Sequence, residues 1–195
     1  MQSVPTNGSL SVSFGPMGSG KTTKALEQVS QFVILGFKTM YITSKLDKER
    51  APEAAFYSHN PASQRVHELC ITLHCESLPD DYSSSEVIVI DEAQFFSNLV
   101  PTVHKLLALG KNVQVYGLAA DFKGDKFGSI IDLIPFADNV EHMKAKCMRC
   151  TLEQRVLVPA AFTDKEGVSK TVLEVGCIGK YLPVCRKHHT QLTTA

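Results

Sequence analysis

Residues 10–23 read LSVSFGPMGSGKTT. Leu10–Phe14 reads as a strand, and Lys21–Leu35 as a helix with Leu26, Val29, Val33 and Ile34 on or near one face. Gly36 is placed to stop that helix. Between strand and helix, Gly15, Pro16, Met17, Gly18, Ser19, Gly20, Lys21 and Thr22 fit G-x-x-x-x-G-K-[ST], in the context that pattern requires. Glycines let successive backbone N–H groups turn inward around phosphates, and the helix N-terminus adds partial positive charge. Lys21 is placed for the β- and γ-phosphates of ATP, and the Thr22 hydroxyl for Mg²⁺. A glycine-rich turn that binds nothing is the bland alternative; the flanking elements argue against it.

Working outward, Thr39–Thr43, Glu86–Asp91 and Val113–Leu118 read as further strands. Leu99–Leu109 reads as a helix carrying Leu99, Val103, Leu106 and Leu107 on one face, with Gly110 as its stop. Gly128–Ile134 is expected to be a short helix and Asn139–Ala145 an edge strand. Strand–helix alternation implies an α/β fold: a mostly parallel, P-loop NTPase-like sheet with helices on both faces. The polar stretch 45–85 is left unassigned, and Asp80–Ser85 reads as a surface turn. After about Ala145 helical periodicity disappears, and Thr171–Val175 reads as a strand. A boundary near residue 146 divides an ATP-binding α/β domain (1–146) from a small C-terminal domain (147–195).

The totals narrow the classes. The chain has 195 residues and is 44% hydrophobic, enough for a core without disulfides. Twenty basic residues balance twenty acidic ones, which disfavours non-specific nucleic-acid binding. The N-terminal stretch lacks the charge and apolar run of a signal peptide, and apolar runs such as FVIL and VIVI are too short for a bilayer. A cytoplasmic protein with no membrane partner and no nucleic-acid partner is expected. In that setting paired cysteines point to metal rather than disulfides.

Residues 91–96 read DEAQFF and follow the apolar VIVI. Asp91, at the strand end, is placed to serve Mg²⁺. Glu92, one residue on, points elsewhere, toward whatever attacks the γ-phosphate, and can take its proton. If that proton belongs to water, the chain is an ATPase; if to a hydroxyl, a kinase. DEAQ also looks like motif II of nucleic-acid helicases, and a P-loop ATPase or nucleic-acid motor with a zinc ribbon is the alternative reading. The chain is too short for two helicase lobes. A phenylalanine beside the acids suits a planar substrate, although core packing explains one of Phe95 and Phe96.

Cys147-x₂-Cys150 and Cys185-x₂-His188 form two knuckle-like pairs. Three thiolates and an imidazole with no vacant position describe a structural Zn²⁺ site. His189 is the adjacent alternative to His188. Cys70, Cys75 and Cys177 read as small packing residues.

Together the phosphate loop with Met17, the IDEAQFF strand end, Phe122 and Phe127 in LAADFKGDKFG, the CMRC pair, the GKY segment and the final CRKH resemble, in order, the second structural type of thymidine kinases. These are cytosolic, tetrameric, zinc-containing enzymes. The resemblance covers nearly the whole chain. It implies ATP and thymidine as substrates, a homotetramer, and Glu92 as the base for the nucleoside 5′-hydroxyl. It places Asp91 and Thr22 on Mg²⁺, and Asp47, Arg50 and Gln94 with the phosphate group of residues. Phe95 would lie beside the thymine, and Met17, Leu118, Phe122 and Phe127 would line the pocket. The segment between the zinc pairs would be a lasso over the nucleoside. In it Thr163 sits near the 5-methyl group, backbone groups of Val172, Leu173, Glu174, Val175 and Gly176 read the pyrimidine edge, and Tyr181 closes the pocket. Two departures stand out. Arg50 comes one residue later than the family's arginine, and His188 replaces the cysteine of many relatives.

Overall fold

The computed structural model describes residues 8–46, 70–165 and 181–189. Six strands form one sheet: β1 (Ser9–Phe14), β2 (Thr39–Ser44), β3 (Ile71–Cys75), β4 (Val87–Ile90), β5 (Asn112–Gly117) and β6 (Asn139–His142). Their spatial order is β3-β2-β4-β5-β1-β6, and every neighbouring pair is parallel. The carboxyl ends of β1, β4 and β5 therefore open on one edge of the sheet, where open α/β sheets bind ligands.

Side chains alternate across a strand, so the apolar run of β4 serves two cores. Val87 and Val89 join Tyr41, Tyr116 and the Ala25, Leu26, Val29 stripe of helix α1 (Lys21–Ile34). Ile88 and Ile90 face the other way, with Leu10, Val12, Met40, Ile42, Val113 and Val115. That face is covered by Leu99, Val103 and Leu106 of helix α2 (Leu99–Ala108). Helices thus cover both faces, as the alternating pattern predicts.

Four local expectations are corrected. Ile34 is 79% exposed; at the helical period it lies about 140° around α1 from Val29, off the packed stripe. The unassigned stretch contains β3, an edge strand whose residues are only partly covered and which therefore lacks a buried apolar run. The short helix lies at Ile130–Phe136, two residues late, as a 3-10 segment. Beyond residue 145, a third helix, α3 (Met148–Gln154), starts directly after Cys147. Its seven residues are too few to display periodicity.

Two antiparallel pairs complete the description. Strand β7 (Ala145–Lys146) pairs with β8 (Pro159–Ala160), and β9 (Phe162–Lys165) pairs with β10 (Tyr181–Val184). A small core of Ala145, Cys147, Cys150, Ala160, Leu182 and Val184 lies among them. Asp47, Arg50, Cys177, the expected strand Thr171–Val175 and the edge-reading set Val172–Gly176 lie outside the described residues.

Candidate active site and metal centre

The phosphate loop leaves β1 at Phe14 and enters α1 at Lys21. Gly18 and Gly20 hold φ of +71° and +84°, the left-handed region that side chains disfavour. The Lys21 ammonium is buried and donates to the Pro16 carbonyl at 2.7 Å and, more weakly, to Ser19 Oγ at 3.4 Å. Burial lowers its pKa, while the charges of Glu92 and Asp91 oppose that shift. Both acids therefore act electrostatically on the phosphate loop.

Asp91 is 1% exposed. Its Oδ2 accepts from the Tyr41 hydroxyl at 2.9 Å, and its Oδ1 from the Glu92 backbone N–H at 2.9 Å. Burial and the neighbouring Glu92 charge push its pKa up to about 6, against hydrogen bonds that include one from the Thr22 side chain. A buried carboxylate beside a hydroxyl at the foot of a phosphate loop suits a divalent cation, whose charge would stabilise the ionised form. Tyr41 was not singled out by sequence. The available signal was a single phenol within the fully buried run TMYITS, where its hydroxyl needs a partner.

Glu92 has φ 51° and ψ 37°, a left-handed conformation rare outside glycine. The chain turns there, and Glu92 leaves the sheet while Asp91 stays inside. The Gln94 amide spans the gap: its nitrogen donates to Glu92 Oε2 at 2.5 Å, and its oxygen accepts from the Leu118 N–H at 2.9 Å. Two glycines make room for it. A Cβ on Gly117 would stand 2.7 Å from Gln94 Oε1, and one on Gly128 would stand 2.4 Å from the Gln94 carbonyl oxygen.

Aromatic side chains gather beside these acids. Phe96 belongs to the sheet core, whereas half-buried Phe95 meets Phe127 edge-on, with ring centroids 5.6 Å apart. Phe122 and Tyr181 lie 6.3 Å apart, and Lys165 Nζ stands 5.3 Å and 5.6 Å from their respective ring centroids. The β9–β10 hairpin reaches the phosphate loop itself. Thr163 Oγ1 accepts from the Met17 N–H at 3.0 Å, and Pro183 Cγ would contact a Cβ on Gly18 at 3.6 Å. The structure thus brings Gly15–Thr22, Asp91, Glu92, Gln94, Phe95, Leu118, Phe122, Phe127, Thr163 and Tyr181 around one edge of the sheet.

Cys147, Cys150, Cys185 and His188 offer ligand atoms that all lie within 4.8 Å of one another. The Cys150 and Cys185 sulfurs are 3.8 Å apart, and His188 Nδ1 is 3.4, 3.3 and 3.6 Å from the sulfurs of Cys147, Cys150 and Cys185. A tetrahedron with Zn–S of about 2.3 Å and Zn–N of about 2.05 Å requires sulfur pairs about 3.8 Å apart and sulfur–nitrogen pairs about 3.6 Å apart. The set fits a metal. It does not fit a disulfide, whose sulfurs would be about 2.05 Å apart. Burial raises the Cys147 pKa, but hydrogen bonds from the Cys150 and Cys185 backbones and from His188 outweigh it, bringing the thiol down to about 6. His188 rather than His189 supplies the fourth ligand atom; the ring of His189 packs beside Phe162, with centroids 5.3 Å apart.

The family model described as "Thymidine kinase" matches residues 8–189. The chain belongs to the thymidine kinase family. Cytosolic thymidine kinase of Bos taurus is 33% identical over 181 residues, covering 93% of this chain and 71% of that protein. The Homo sapiens counterpart is 33% identical, with 93% and 73% covered. The thymidine kinase of Fowlpox virus is 32% identical over 190 residues, covering 93% of this chain and 97% of the viral one. This is the family that the order of motifs resembled. No helix among the described residues is long and apolar enough to cross a membrane.

Proposed function

We propose the division of labour at this site; the activity itself, ATP:thymidine 5′-phosphotransfer for nucleoside salvage, follows from membership of the thymidine kinase family. Gly15–Thr22 hold the ATP phosphates, with Lys21 on the β- and γ-groups. Thr22 and Asp91 would hold Mg²⁺, which offsets charge on the phosphates. Glu92 takes the proton of the nucleoside 5′-hydroxyl as its oxygen attacks the γ-phosphorus. Phe95, Phe127, Phe122, Leu118, Met17 and Tyr181 form the nucleoside wall, and Thr163 stands near the thymine 5-methyl group. Asp47 and Arg50 serve the phosphates, and backbone groups of Val172–Gly176 read the pyrimidine edge.

Cys147, Cys150, Cys185 and His188 would hold a structural Zn²⁺, which cross-links a region whose own core is small. Residues 1–146 act as the ATP-binding domain and 147–195 as the lid. The working unit is a cytoplasmic homotetramer that engages neither nucleic acid nor membrane.

The observation that carries this reading is the close set of Glu92, Gln94 and the Phe95–Phe127 wall beside a phosphate loop touched by a hairpin. A water-activating site needs neither an aromatic wall nor a lid, whereas a nucleoside kinase needs both. The test is incubation with ATP, Mg²⁺ and single nucleosides, followed by chromatography for the monophosphate. Thymidine monophosphate is expected; ATP hydrolysis without any nucleoside monophosphate overturns the proposal.

A further inference from the structure

Arg149 lies in sequence between two candidate metal ligands, Cys147 and Cys150, and its side chain reaches strand β9. Its Nη2 donates to Asp164 Oδ2 at 3.0 Å. The Asp164 side chain is only 3% exposed, and the Arg149 side chain 32%. A carboxylate so far removed from water needs partners: its Oδ1 also accepts from the Lys165 N–H at 3.0 Å, and losing Arg149 takes away an ionised partner. Asp164 immediately follows Thr163, whose hydroxyl accepts from the Met17 N–H of the phosphate loop. Across the hairpin, Thr163 pairs with Pro183, which faces Gly18. Two cross-strand neighbours of the lid therefore rest on two consecutive residues of the phosphate loop.

We propose that the Arg149–Asp164 ion pair is a strut that fixes Thr163, and with it the crown of the phosphate loop, to the metal knuckle. Arg149 and Asp164 are then positioning residues for nucleoside capture. The knuckle supplies a rigid base, since Arg149 is held within the helix that carries Cys150. The strut spans from that base to β9. The Thr163 hydroxyl completes the link to Met17, so lid and phosphate loop share a hydrogen bond instead of meeting only through substrate. This rests on the proposed function insofar as the lid covers the nucleoside.

Charge reversal tests it: Arg149→Glu, Asp164→Lys, and the two combined, which rebuilds an ion pair of opposite polarity. Thymidine KM and kcat, zinc content, and hydrogen exchange at residues 15–20 are measured for each. Either single change is expected to raise thymidine KM about tenfold with a smaller fall in kcat, about 1.4 kcal/mol of binding. Exchange at the phosphate loop should quicken while zinc is retained. The double variant should return KM to within about threefold of the parent and slow the exchange again. A double variant no better than the worse single variant overturns the strut, as does unchanged loop exchange in both single variants. Arg149→Gln, which removes the charge without reversing it, gives the same reading if a reversed variant fails to fold. A parent protein that forms no thymidine monophosphate would defeat the functional reading instead, and the exchange arm would still decide the strut.

Discussion

Replacing Asp91 by asparagine should stabilise the ligand-free protein and disable it. The carboxyl is buried and faces the Glu92 charge, and its pKa is raised from 3.8 to about 6. The folded state then holds the proton more tightly than the unfolded state. Stability therefore falls as pH rises from about 4 to about 6, and the full penalty applies above that window. Two pKa units correspond to about 3 kcal/mol at most. Asparagine keeps an acceptor for the Glu92 N–H, and its amide can donate to the Tyr41 hydroxyl oxygen. Most of the hydrogen bonding survives while the buried charge goes. At pH 7.5, without Mg²⁺ or ATP, the variant should gain about 1–3 kcal/mol, or roughly 2–4 °C in Tm for each of these in a chain of this size. The assay is thermal unfolding of both proteins from pH 4 to pH 8. The gain should shrink as pH is lowered through 6, because the parent Asp91 is then protonated. In the same variant thymidine phosphorylation should fall by at least about a hundredfold, since an amide offers no charge to Mg²⁺. A variant less stable than its parent at pH 7.5, or a gain that stays constant down to pH 4, would refute the electrostatic argument.

Three other outcomes are expected. Glu92→Gln should lower kcat by about 10²–10⁴ and leave ATP affinity, measured by calorimetry, within about twofold, because the amide cannot take a proton; undiminished turnover removes Glu92 as the base. Gly128→Ala combines a φ of +67° with a Cβ placed 2.4 Å from the Gln94 carbonyl oxygen. It should cost about 1–3 kcal/mol and slow phosphorylation by displacing the Glu92 partner, and an unchanged Tm counts against the packed position of Gln94. Chelation should remove about one Zn²⁺ per chain and open the region around Cys147 and Cys185 to proteolysis, since its own core is small; a protein free of zinc and equally resistant would contradict a structural role.

The parts legible in the sequence are those whose signal is local. The phosphate loop declares itself because glycine spacing, lysine and hydroxyl all fall within eight consecutive positions, Gly15–Thr22. The β4 run is legible because a strand buried on both faces is apolar throughout. β3 was not, since an edge strand needs only partial cover. α3 was hidden in a metal knuckle, where ligand spacing sets the residues and leaves no stripe. The Tyr41–Asp91 contact spans 50 residues and the Arg149–Asp164 pair 15. Neither has a local pattern, because each exists only after the sheet and the hairpin have formed. Gln94 is intermediate: its place in DEAQFF drew attention, but its pairing with Leu118 depends on β5 lying beside β4.

The DE pair shows how one added fact changes the reading of two residues. Adjacent side chains on a continuing strand would point to opposite faces, which fixes no chemistry. Here the left-handed turn at Glu92 ends the strand between them. Such a conformation costs about 1–2 kcal/mol for a side-chain-bearing residue, and it persists because Gln94 holds the Glu92 carboxylate from one side while Leu118 holds Gln94 from the other. Asp91 is left facing Tyr41 and Thr22, where the proposed function puts Mg²⁺. Glu92 is left held by Gln94, and the proposed function sets it against the nucleoside hydroxyl. In the proposed function the lid then decides whose proton is taken. Thr163 binds the Met17 N–H within the phosphate cradle, so under the proposed strut a closed hairpin and an ordered cradle favour each other. In the proposed function water would be excluded while the γ-phosphate is held, and the nucleoside hydroxyl would be the favoured nucleophile.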